Sequence, residues 1–374
     1  MIIFRIKNKL ISIIRESLSN IFINTISSHF SSEKDNNDNS RITTYNSKHD
    51  SYEIRKPYPY WYLFENIELR SLHKIKIAGE VVGRGIVMSE GKVELESTIG
   101  QKEYLDKLKS FHILYFRKFL PRSSINNVIV LTNYLDRNYY HWMLESIGRL
   151  VCLSSTELQE YKFIIDYDAP QFAVDSLKYI LNISQDQIIK KKELSRIKST
   201  NILLPSYPLT KNESTKYCNI YHPLVIKRIN SLAIQKSIIG SKKNIIIDRS
   251  KASQRRIVNK EKLLADLSEF DFEVIKLEDI SFEEQLAVFA QANIIIATHG
   301  AGLANLLFSN QPIVIELFPE SRPIRDAFCF YQISSELKFQ HHLIYYSPIN
   351  TVQDLFVNSS IIKKIKTIIK NDLK

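Results

Sequence analysis

Past residue 240 the chain settles into an alternation that few folds can accommodate. Short apolar runs rich in isoleucine, at 244–247, 272–277, 293–297 and 312–318, are separated by segments with helical spacing at 260–269 and 282–292. Runs this short, bounded by polar or glycine positions, have the signature of buried strands. Strands that alternate with helices imply parallel βαβ units, because parallel neighbours can be joined only by a crossover. An earlier block repeats the pattern less cleanly. Strands are expected at 127–132, 163–166 and 201–204, with helices from Tyr139 and over 171–181. The 75–95 region carries Gly79, Gly83, Gly85 and Gly91 and predicts short strands and turns. The fold class expected is α/β, with two Rossmann-like domains at 53–225 and 226–345, joined near 226–242. A C-terminal helix within 346–374 is expected to pack back on the first domain.

The first residues differ from this body. Ile3, Ile6, Leu10, Ile14, Leu18 and Ile21 recur at helical steps over 1–26, among Arg5, Lys7, Lys9 and Arg15. Such a basic amphipathic helix suits either an anionic membrane surface or the body of the protein. Residues 27–52 are polar enough to predict a flexible linker. No stretch approaches the length of a spanning helix, and no signal peptide is read, so the expected location is the cytoplasm, with optional peripheral contact at the inner membrane face.

Charge sets the class of partner. Lys and Arg number 51 against 40 Asp and Glu, a net charge of +11. A basic protein favours anionic partners: nucleic acid, acidic lipid or phosphorylated substrates. Cys152, Cys218 and Cys329 are far apart, odd in number and without CxxC spacing. They outline neither a disulfide framework nor a zinc site.

Four motifs carry candidate chemistry. In the first, Asn138, His141, Glu145 and Arg149 fall at helical steps and form a polar stripe on an aromatic segment. A histidine with a carboxylate one turn away can take a proton near neutral pH, and either group could be the acceptor. The same spacing also suits an ion-pair ladder. The second is Thr298-His299-Gly300-Ala301-Gly302-Leu303-Ala304-Asn305, placed directly after a strand. Two of the nine glycines sit here, where backbone N–H groups at a helix start suit a phosphate. The motif is neither GxGxxG nor a P-loop. In the third, Arg249 ends a strand, with Arg255, Arg256 and Asn259 beyond it. Guanidiniums at the carboxyl edge of a parallel sheet can clamp a diphosphate. The fourth is Glu316, a carboxylate in an apolar strand that needs a partner, either an arginine or sugar hydroxyls. Asp166-Tyr167-Asp168 has DxD spacing but lies in the first block, away from the presumed phosphate turn. It is read as a strand end, and no metal site is expected.

Taken together these motifs resemble glycosyltransferase family 61. The resemblance covers roughly 125–335. It rests on Asn138, His141, Glu145, Arg249, Arg255, Asn259, Gln285, the run from His299 through Gly300, Ala301 and Gly302 to Asn305, and Glu316. Gly148 departs from it, since bacterial members often have proline there. The resemblance implies a GT-B fold, two Rossmann-like domains facing across a cleft. It implies an inverting, metal-independent transfer from a nucleotide diphosphate sugar, UDP-linked by expectation, to a glycan or lipid-linked acceptor in surface polysaccharide (capsule-type) assembly. His141 or Glu145 would be the base. Asn138, Arg249, Arg255, Asn259, the HGAG turn, Asn305 and Glu316 would bind the donor. No cofactor and no nucleic-acid partner are implied. Two rivals predict otherwise: a non-catalytic basic protein of membrane surfaces or nucleic acid, and a sugar-nucleotide epimerase of similar fold without an acceptor site.

Overall fold

The computed structural model describes residues 74–94, 117–133, 135–208, 221–237 and 240–372, together with 43–44, 68–69, 72 and 97. The expected amphipathic helix at 1–26 and Cys218 lie outside these residues, as does all but Thr43–Thr44 of the expected linker. Thr43–Thr44 (β1) pairs antiparallel with Glu68–Leu69 (β2). The described chain has a mixed α/β architecture with two principal sheets.

The first sheet begins with an antiparallel meander: Lys74–Val82 (β3), Ile86–Ser89 (β4) and Lys92–Val93 (β5). Four parallel strands follow: Val128–Val130 (β7), Lys162–Asp166 (β8), Ile188–Lys191 (β9) and Arg196–Pro205 (β10). Arg122–Ser124 (β6) adds a short parallel pairing to β10. The strand order β5-β4-β3-β10-β7-β8-β9 places β10 between the meander and β7. That position accounts for β10 being longer than the 201–204 expected, since β3 and β6 both pair with its first half.

The second sheet is wholly parallel: Lys243–Ile247 (β11), Phe272–Ile275 (β12), Ala292–Thr298 (β13), Ile313–Pro319 (β14) and Gln340–Tyr346 (β15). Its order is β12-β11-β13-β14-β15, so the winding direction reverses between β11 and β13. β14 is buried at every position, as a strand covered on both faces must be. In doubly wound sheets ligands bind outside the carboxyl ends of the strands at this reversal. Arg249 follows β11 and His299 follows β13, so the reversal brings those two motifs together.

Helices between the sheets pack into one continuous apolar core. It joins Trp142, Ile147 and Leu177 on the first-sheet side to Phe289, Leu306 and Ile333 on the second. The expected junction at 226–242 is in fact largely a packed helix, Pro223–Lys236, capped by His222 and burying Val225, Ile226 and Ile229. Asn230 donates to the carbonyls of Leu307 and Ser309, at 3.0 and 2.9 Å. The C-terminal helix, Ser359–Asp372, corrects a second expectation. Its Ile361, Ile362, Ile365 and Ile369 stripe packs against Ile246, Ile296, Ile315 and Ile344 on the far face of the second sheet, not on the first domain. A fully parallel sheet needs both faces covered, and this helix covers one of them. No helix among the described residues is long and apolar enough to cross a membrane.

Candidate active site

β7 leads through a short loop to a helix over 139–150. Asn138 caps it by accepting from the Tyr140 N–H at 3.0 Å. The first turn is α-helical (Tyr139–His141), and Trp142–Ile147 is then π-helical before Gly148–Leu150 returns to α. π-helical insertions rotate all later positions and often mark functional sites. The single stripe expected from the sequence therefore divides. His141 Nδ1 meets Glu145 Oε1 at 2.7 Å, and the Tyr221 hydroxyl donates to the same oxygen at 2.9 Å. Arg149 instead donates to the carbonyls of Pro205 and Val130 and stacks 4.1 Å from the Tyr207 ring. Gly148 is needed for close packing here, because a Cβ would sit 2.9 Å from Val225 and 3.3 Å from Pro208. Glu145 is fully buried, whereas the His141 side chain is 21% exposed.

A second His–Glu pair lies under the HGAG turn. His299 Nδ1 and Glu316 Oε1 are 2.5 Å apart. The other oxygen, Oε2, meets His341 Nε2 at 3.0 Å, and His341 Nδ1 meets the Ser334 hydroxyl at 2.8 Å. Burial alone would raise the Glu316 carboxyl, but the hydrogen bonds from His299 and His341 hold it below its ordinary value. Glu316 is fully buried with both oxygens engaged by imidazoles. The expectation that it holds sugar hydroxyls directly gives way to a structural one: it fixes the ring of His299.

The turn itself is shaped by an arginine. Gly300 has extended backbone, yet a Cβ there would lie 2.0 Å from Arg249 Nη1. Glycine is required so that the guanidinium can lie against the chain. Ala301 and Gly302 begin the helix Ala301–Phe308, on which Asn305 is buried. Asn305 donates to Gln285 Oε1 at 2.9 Å and accepts from the Tyr139 hydroxyl. It therefore ties the 139–150 helix to the second sheet.

Three guanidiniums gather at the carboxyl edge of the second sheet. Arg249 and Arg255 were legible in the sequence; Arg322, three residues beyond β14, was missed. Its only sequence signal was its position after a strand end. Arg255 is 7% exposed and its backbone φ is +59°. Burial pushes it down to about 10, helped by the neighbouring charges of Arg249 and Arg322. Burial likewise lowers Arg249. The Nε atoms of all three are buried and lack a hydrogen-bond partner among the described residues. Arg322 has one carboxylate, Asp326, at 2.6 Å. Arg255 is buried and Arg249 and Arg322 are half-buried, and a buried donor atom without a partner is costly unless a ligand completes it. Nearby Arg256 is already paired to Asp354 at 2.6 Å. Asn259 uses its amide on both backbone groups of Val357, at 2.8 Å each, so the structure places it beside the 354–358 segment.

The DxD carboxylate Asp166 is engaged by Arg84 at 3.0 Å, which also binds Asp136 at 2.7 Å. No cluster of three or more His, Cys, Asp or Glu side chains suited to a metal occurs among the described residues.

The doubly wound second sheet thus carries three arginines, one of them paired to Asp326, at its carboxyl edge, and a His–Glu pair lies on the neighbouring helix. Residues 139–315 match the family model of Glycosyltransferase 61, and that match supports placing the chain with this family. The matched span contains His141, Glu145, Arg249, Arg255 and the whole HGAG turn; Arg322 and His341 lie beyond it. No curated protein matches the chain.

Proposed function

We propose that the chain is an inverting glycosyltransferase of GT-B type. It moves a sugar from a nucleotide diphosphate sugar, UDP-linked, to a glycan or lipid-linked acceptor in surface polysaccharide assembly. The observation that carries this reading is the trio Arg249, Arg255 and Arg322, whose buried Nε atoms lack partners at the winding reversal. Guanidinium forks suit phosphate oxygens bidentately.

In the mechanism His141 is the base, and Glu145 orients it. Glu145 is a carboxylate that accepts from Tyr221, so the proton on the shared contact belongs to His141 Nδ1. That leaves Nε2 as the proton acceptor, on the side chain that retains exposure. His141 Nε2 removes the acceptor hydroxyl proton as the acceptor oxygen bonds to the anomeric carbon. The bond from that carbon to the diphosphate oxygen breaks on the opposite side, and the configuration inverts. The leaving charge develops against the arginines and the HGAG backbone. Because these residues supply the positive charge, the transfer is metal-independent. A cytoplasmic enzyme held at the inner membrane face by its basic first residues fits a lipid-linked acceptor.

A panel of sugar nucleotides tests the reading by thermal shift and by slow donor hydrolysis, each with and without excess chelator. Stabilisation by one nucleotide diphosphate sugar, with hydrolysis that persists in chelator, is expected. No response to any donor, or hydrolysis abolished by chelator and restored by manganese, contradicts it.

A further inference from the structure

The two His–Glu pairs sit on different parts of the chain, yet one short helix reaches both. On Phe328–Glu336, Gln332 is buried and its amide is engaged at both ends. Its Nε2 donates to the Tyr140 hydroxyl at 3.0 Å, and its Oε1 accepts from the Tyr221 backbone N–H at 3.1 Å. A backbone N–H can only donate, so it fixes which way the amide faces. Tyr221 in turn donates to Glu145. Ser334 lies two residues on, about 200° around the helix, and contacts His341, which leads to Glu316 and His299. Phe330 fills the space between, 5.5 Å from the Tyr140 ring and 5.1 Å from His299.

We infer that Gln332 is a positioning residue for the acceptor-side base: it holds Tyr140 and Tyr221 so that Glu145 keeps His141 in the Nδ1–H tautomer. The inference rests on the transferase reading only for its consequence in turnover. The physical reason is the cost of misalignment. Tyr140 rings the site, 5.4 Å from His141 and 5.9 Å from Tyr221. Without the amide, the Tyr221 backbone and the Tyr140 hydroxyl each lose a buried partner, and such groups move or admit water to recover one. The Tyr221 hydroxyl then shifts on Glu145, and the carboxylate's hold on His141 loosens. Ser334 acts on the other pair, so loss of Gln332 leaves His299 and His341 in place.

The test needs no substrate. Nitrogen-15 spectra of histidine-labelled protein report the tautomer of each ring, with the His141 signal assigned by its loss in His141→Gln. Gln332→Met keeps the size of the side chain without its hydrogen bonds, and Tyr221→Phe removes a single oxygen. Both variants are expected to convert His141 from one tautomer to a mixture, and the double variant to go no further than either. The signals of His299 and His341 are expected to stay where they are. An unchanged His141 in Tyr221→Phe or in folded Gln332→Met overturns the inference, as does an equal disturbance of His299 and His341. If Gln332→Met fails to fold, Tyr221→Phe decides. Once a donor is known, Gln332→Met should lower turnover by up to about 100-fold with donor KM unchanged. Failure of the wild type to bind any sugar nucleotide counts against the transferase reading and leaves the tautomer result standing.

Discussion

The two His–Glu pairs have the same chemistry and opposite surroundings. His141 and Glu145 are 2.7 Å apart with the imidazole one-fifth exposed. His299 and Glu316 are 2.5 Å apart with both side chains buried, and Glu316 carries a second imidazole from His341. A carboxylate shared between two buried rings, itself fully buried, is closed to a ligand and holds the turn in shape. A carboxylate that grips one side of a partly exposed ring leaves the other side free for a proton. Exposure of the imidazole, and not residue type, separates the two pairs.

The largest expected effect breaks this comparison at its more exposed member, the proposed base. His141→Gln should lower turnover by about 10²–10⁴-fold, the usual worth of a general base, with nucleotide affinity nearly unchanged. Steady-state kinetics beside calorimetric nucleotide binding would show the split. An equal loss of turnover from His299→Gln without destabilisation would erase the distinction between the pairs.

Next comes the bracing member. Glu316→Leu leaves two buried imidazoles without their carboxylate and should destabilise the fold by about 3–5 kcal/mol, measured by denaturant unfolding. The pH dependence carries the same information. Glu316 is held below its ordinary 4.5 in the folded protein. Its stabilisation is therefore present above that value and lost as the pH falls below it.

A smaller effect of opposite sign belongs to Asp136. Burial raises it to about 6 from its ordinary 3.8, against the pull of Arg84 and with a further push from Asp166. The folded state keeps a proton that the unfolded state has released, so stability falls as pH rises from about 3.8 to about 6. Asp136→Asn should flatten that part of the curve of melting temperature against pH. An unchanged curve would show that the carboxylate titrates normally.

Much of the second sheet was legible because short isoleucine-rich runs such as 293–297 alternate with helical segments, the pattern of buried parallel strands. The 139–150 helix was legible too, but its π-helical stretch was not, since periodicity assumes a regular turn. Arg149 was consequently assigned to a stripe it does not join. Asn259 and Glu316 carried the right residue types for ligand contact. Their engagement by Val357 and by two histidines depends on chain segments 98 and 25 residues away, respectively, which no local pattern reveals. Arg322 and Gln332 were invisible for the same reason: each matters through what the fold sets beside it.

The central claim is that Arg249, Arg255 and Arg322 form a site for the diphosphate of a nucleotide. Titration calorimetry with UDP on the wild type and on single alanine variants tests it most directly. Arg249→Ala, Arg255→Ala and Arg322→Ala should each weaken binding by about 1.5–3 kcal/mol, the range for a charged hydrogen bond. Arg256→Ala, whose guanidinium is already paired to Asp354, should bind UDP like the wild type. Affinity unchanged in all three variants, or lost equally in Arg256→Ala, would contradict the account.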